Sequence, residues 1–144
     1  MLRTVLAVAV VALGATALVA QTDPIKARKE LMKANGQEAR AGNEMAQAKR
    51  PFNLDDAKKV FAGFKEAGEK APALFPDSSK DGDTAALPAV WENKTDFNAR
   101  LAKLATDSKA AIAATKDLDT FKAQFTEVTN NCGGCHQTYR KKQT

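Results

Sequence analysis

Residues 117–139 read DLDTFKAQFTEVTNNCGGCHQTY. Leu118, Phe121, Phe125, Val128, Cys132, Cys135 and Tyr139 follow one another at steps of three or four, the spacing that lines one face of an α-helix. Asp117 stands just before the stripe, where a carboxylate can accept an amide that the first turn leaves free. The segment therefore predicts a helix with both cysteines on its apolar face. Such a helix needs other helices to cover that face.

Working upstream, three further helices are expected. One starts near Pro88 and carries Val90, Trp91, Phe97, Leu101, Leu104 and Ile112 on its buried side before fading at Thr115. Another begins after Asn53, with Asp55 and Asp56 in the first turn, where carboxylates suit the positive end of the helix dipole. Its stripe is Ala57, Val60, Phe61, Phe64 and Ala67, and Pro72 ends it. The first helix opens on Asp23 and Pro24, a cap and a preset backbone angle, and is expected to reach about Lys49. Its apolar face is thin: Ile25, Leu31, Met32, Ala39 and Met45, with Gly36 and Gly42 between them. Small residues there leave space for something bulky beside the helix. Residues 71–88 hold three prolines and a polar run, too long for a minimal connection, so this stretch is expected to cross an end of the assembly. The expected fold class is all-α, an antiparallel four-helix bundle.

Cys132-Gly133-Gly134-Cys135-His136 matches the C-x-x-C-H pattern of covalent haem attachment. In such a site the two sulfurs add to the vinyl groups of haem c, and the adjacent imidazole is placed to bind the iron. A zinc site would need further Cys or His, and the chain has two Cys and one His in all. A thioredoxin-like dithiol would accompany a βαβ pattern, which is absent, and a plain disulfide would not explain a lone His beside Cys135. One haem per chain, held by Cys132, Cys135 and His136, is the reading that uses every one of these residues.

With 144 residues, 44% hydrophobic and 27% charged, the chain has the balance of a single globular domain. Arg3, an apolar run over residues 5–19 and a small-residue ending at Ala20 predict a signal peptide over residues 1–20, followed by one domain over residues 21–144. The apolar run is shorter than the ~20 residues of a spanning helix, so no membrane attachment is expected after cleavage. Covalent haem attachment in bacteria takes place outside the cytoplasm, which makes the periplasm the expected compartment. Cleavage lowers the formal charge of +5 by one. The remaining lysines are scattered, without the basic, aromatic-interleaved runs of a nucleic-acid binder, so no nucleic acid is expected.

Using the only His as one axial ligand rules out bis-His ligation within the chain and leaves the sixth position to Met, to another weak ligand, or empty. Met32 and Met45 are thirteen residues apart, roughly 140° around one helix, so they cannot face the same iron. Met32 lies near Ile25 and Arg28 on the helix surface, beside a core residue and a cation suited to a propionate. Met32 is the expected second ligand. The alternative for any single Met on an apolar stripe is core filling.

The chain resembles the class II c-type cytochromes, the cytochrome c' superfamily. The resemblance rests on residues 25–32, Pro51-Phe52, Leu74-Phe75-Pro76, residues 88–91 and the stretch from Cys132 to Arg140. It implies a four-helix bundle with the haem motif near its C-terminus. It also implies that Met32 faces the distal side of the haem, and the surrounding residues are more similar to the low-spin subgroup that uses Met as sixth ligand. Lys29 departs from the Gln common after the Arg. By the same resemblance Arg28 and Arg140 are expected contacts of the haem propionates or edge, and a homodimer through the first two helices is expected.

Two functions follow. Two strong axial ligands hold iron six-coordinate in both oxidation states, which suits electron transfer, and a thioether raises the potential relative to bis-His ligation. A haem edge beside Arg140, Lys141 and Lys142 would steer an acidic redox partner protein. If Met32 stays off the iron, the alternative is a high-spin, five-coordinate haem that binds nitric oxide or carbon monoxide. No acid, base or nucleophile set accompanies the motif, so an enzyme is not expected.

Overall fold

The computed structural model describes residues 23–142; the expected signal peptide over residues 1–20 lies outside the described residues. The four long helices are α1 (Pro24–Ala46), α2 (Leu54–Lys70), α4 (Lys94–Ala114) and α5 (Leu118–Tyr139), with the single turn α3 (Ala89–Glu92) before α4. Among the described residues there is no strand, only one isolated antiparallel bridge between Ala86 and Arg140. No described helix is long and apolar enough to cross a membrane.

The helix starts follow the expected caps. Asp23 accepts from the amides of Ile25 and Lys26, Asn53 from Asp56, and Asp117 forms a capping box with Thr120. The stops differ in two places. Expected to reach about Lys49, α1 ends at Ala46, because Ala48 turns into the left-handed region at φ 56 and lets the Ala48 and Lys49 amides bond back to Met45 and Glu44. The helix expected from Pro88 to Thr115 breaks at Asn93. There the Trp91 indole donates to the carbonyls of Phe75 and Pro76, and Lys94 donates to Phe75, so the chain turns to satisfy both.

Two apolar clusters divide the bundle. The larger joins Met45 of α1 to Val60, Phe61 and Phe64 of α2, Leu104 of α4, and Phe121, Phe125 and Val128 of α5. Phe121 is its hub, with ring centroids 5.9 Å from Phe52, 5.5 Å from Phe61 and 5.4 Å from Phe125. Close helix approach is made possible by Gly42, against the Phe125 ring, and by Gly68, against the backbone of Leu101 and Ala105. The second cluster, at the other end, comprises Ala71, Phe75, Val90, Phe97, Leu101 and Tyr139. This smaller cluster lies under the haem motif.

Candidate haem-attachment site

The motif occupies the last two turns of α5, so its geometry is that of a helix: Cys132 and His136 are one turn apart, and Cys135 is three residues from Cys132. Both thiols are free and partly buried. Burial raises their pKa values above the usual thiol range; at Cys135 the Arg100 guanidinium opposes the rise. Burial, then the charge of Arg140, lowers the His136 pKa below its ordinary value of 6.5. The imidazole is thereby neutral near pH 7, with a lone pair available to a metal.

An open cleft of about 650 Å³ runs beside the motif, lined by Gly133, His136, Gln137, Arg140, Lys141 and Lys142. Three of these six are cations and none is a carboxylate. A side chain added at Gly133 would meet nothing within 4 Å, so the helix face is bare at this point. Two free thiols, a neutral imidazole and a cationic, roomy flank are a donor set that fits a macrocycle bearing vinyl groups and carboxylates.

A clamp from α4 holds the motif. Arg100 donates through Nη1 to the Gly134 carbonyl at 3.0 Å and through Nε to Asp96 at 2.7 Å, with its guanidinium 5.5 Å over the Tyr139 ring. Tyr139 in turn donates to the same Asp96 oxygen. The amino-acid sequence alone does not reveal this clamp. Asp96 and Arg100 are visible as an i,i+4 pair, but the aim of Arg100 at Gly134 depends on the register of α4 against α5.

The two methionines separate. Met45 is fully buried in the larger cluster. Met32 is half-buried and packs on the smaller cluster together with Leu31, Trp91 and Cys135. Arg140 flanks His136 in the cleft, while its backbone pairs with Ala86.

Arg28, expected at the haem edge, has a different set of partners. It is only 4% exposed. Its terminal nitrogens donate to Leu74 O at 3.1 Å, Ser79 Oγ at 2.8 Å, Ser79 O at 2.9 Å and Thr84 Oγ1 at 2.7 Å. The guanidinium also lies 4.8 Å from the centroid of Phe75 and 5.7 Å from that of Trp91. Desolvation lowers its pKa, with Asp23 opposing, yet a guanidinium stays charged at any ordinary pH. Its two terminal nitrogens carry four N–H donors, and all four are spent on the connection after α2.

Residues 23–140 match the sequence pattern of the Cytochrome C' family. The chain is 39% identical over 135 residues to cytochrome c' of Rhodopseudomonas palustris, covering 93% of this chain and 92% of that one. It is 31% identical over 148 residues to cytochrome c-556 of the same organism, covering 99% of each. The solved structure of Rhodopseudomonas palustris cytochrome c' superposes with a TM-score of 0.82 at 38% identity, over 86% of this chain and all of that one. A helical bundle with C-x-x-C-H near the end of its last helix, matched along nearly its whole length, places the chain in the cytochrome c' family, a haem-binding cytochrome with covalently attached haem c.

Proposed function

We propose that the protein is a periplasmic electron carrier whose haem iron is bound by His136 and Met32. The supporting observation is the shared environment of Met32 and Cys135, which pack on one cluster while Met45 is fully buried in the other. The haem supplies a one-electron couple. The residues around it limit what changes when the electron arrives. His136 sits on a helix held by Arg100 and Asp96, and Met32 on a helix held by Arg28, so both ligands are attached to braced elements. Ligands that stay put in both oxidation states keep reorganisation small. The cations Arg140, Lys141 and Lys142 flank the His136 face and would attract an acidic redox partner, with an association rate that falls as salt rises. A homodimer through α1 and α2 is the assembly proposed from the family resemblance, and equilibrium sedimentation checks it.

The test is the optical and spin-resonance spectrum of the haem-loaded protein. A low-spin ferric signal with a thioether-to-iron band is expected, and Met32→Ala should turn it high-spin and open the iron to carbon monoxide. Met45→Leu should leave the spectrum unchanged. A high-spin ferric signal and rapid gas binding in the unmutated protein would replace the carrier with a five-coordinate gas binder.

A further inference from the structure

The stretch from Leu74 to Leu87 is anchored on both of the helices that carry the proposed axial ligands. On the α1 side, Arg28 bonds Leu74, Ser79 and Thr84, and Lys29 pairs with Asp83 at 2.5 Å. Gly82, at φ +112, brings the loop so close to α1 that an added Cβ would stand 3.1 Å from Ile25 Cδ1. On the α5 side, the Leu87 amide donates to Tyr139 O at 2.9 Å and the Lys141 amide to Ala85 O at 2.8 Å, on either side of the Ala86–Arg140 bridge. Thr84 belongs to both sets. Its Oγ1 accepts from Arg28 and from the Ala86 amide, and its carbonyl accepts from Lys141 Nζ at 3.0 Å.

A glycine lets α1 approach α5 closely at Gly42, which lies against the Phe125 ring. Gly42 is ten residues beyond Met32, and Phe125 is eleven before His136, each about 15 Å or slightly more along its helix axis at 1.5 Å per residue. The two proposed ligands thus sit on arms, about three helical turns from this glycine-mediated junction. A thioether–iron bond tolerates only a few tenths of an ångström, so the spacing of the arms at the haem end has to be set locally.

We propose that the segment 74–87 is a strap that fixes the separation of α1 and α5 at the haem end, with Ser79 and Thr84 as its positioning residues and Thr84 as the junction. The strap decides whether Met32 stays within reach of the iron. The two bonds from Arg28 to Ser79 are buried, with Arg28 4% and Ser79 1% exposed, so water does not compete for them, and those to Leu74 and Thr84 are partly buried. The acceptors of Arg28 are hydroxyls and carbonyls, while the one carboxylate of the strap to bond α1, Asp83, pairs with Lys29 at the exposed edge.

The effect on Met32 rests on the proposed ligation, and the experiment keeps the two apart. The haem-loaded Thr84→Val and Ser79→Ala proteins remove Arg28 acceptors without touching Met32, His136 or either cysteine, and Thr84→Ser restores the hydroxyl. For Thr84→Val, amide hydrogen exchange over residues 84–87 should rise about tenfold. The ferric protein should gain a high-spin fraction, and the ferrous protein should bind carbon monoxide faster. Thr84→Ser should behave as the unmutated protein. If exchange rises while spin state and gas binding stay unchanged, the loop is tethered but does not set the ligand spacing, and the strap is overturned. Unchanged exchange overturns it as well. A high-spin unmutated protein would sink Met32 ligation by itself, and the strap would then stand or fall on the ratio of carbon monoxide binding rates between variant and parent.

Discussion

Gly42→Ala tests whether the bundle is set by close packing between α1 and α5. The added Cβ would lie 2.3 Å from Phe125 Cε2 and 2.9 Å from Cδ2 and Cζ. Nonbonded carbons settle at about 3.5–4.0 Å, so the ring would have to retreat by about 1 Å or more. It has nowhere to go, since its centroid is 5.4 Å from that of Phe121 and 6.3 Å from that of Phe64. Overpacking of this kind costs about 1–3 kcal/mol, and an obstructed ring belongs at the upper end. Alanine returns about 1 kcal/mol of helix propensity, leaving a net loss of about 2 kcal/mol. For a domain of this size, melting should fall by about 8 °C. Gly36→Ala is the control on the same helix: its Cβ meets nothing within 4 Å. There only the propensity gain remains, and melting should rise by about 2–4 °C. Calorimetry of the haem-loaded proteins measures both. Equal shifts of the same sign would refute the packing argument, because helix propensity alone would then account for both variants.

Ala48 holds a left-handed φ of 56 at the end of α1, a position that favours glycine, so Ala48→Gly should stabilise by about 1 kcal/mol in chemical denaturation. Phe121→Ala empties the hub of the larger cluster and should cost about 3–5 kcal/mol by the same measurement, with the haem spectrum of the folded protein unchanged. The hydrogen bond to Tyr139, then that to Arg100, lowers the Asp96 pKa below 3.8, so its stabilising effect is present above that pH and is lost as pH falls through the folded value. Asp96, in turn, raises the Tyr139 pKa above 10, and that contribution disappears as pH rises through the folded value. Asp96→Asn should flatten the acid limb of the melting temperature against pH and return the tyrosinate absorbance change toward pH 10.

Legibility in the sequence tracked the range of the interactions. Helix starts were readable because each cap acts within three residues: Asp23 on Ile25, Asn53 on Asp56, Asp117 on Thr120. The haem motif was readable for the same reason, since five consecutive residues carry it. The end of α1 was not, because an alanine occupies the position where a glycine would have signalled the stop. The break at Asn93 was not either, because its cause is the carbonyls of Phe75 and Pro76, fifteen or more residues away in the chain.

Arg28 shows the physical limit most clearly. A guanidinium in a helix beside an expected haem invites a search for a negative partner, and a propionate is the obvious one. The structure satisfies it with two carbonyls, two hydroxyls and the faces of two aromatic rings, drawn from residues 46 to 63 positions away. Each acceptor is neutral and common, so no charge pattern in the sequence marks it. The result is a buried cation without a carboxylate among its hydrogen-bond acceptors, on the same helix face as Met32 and one turn from it. A positive charge in a low-dielectric setting disfavours a further positive charge nearby, so it favours the reduced iron over the oxidised one. With Met32 on the iron as proposed, Arg28 would do two things with one side chain: tie segment 74–87 to α1, and bias the haem toward holding its electron.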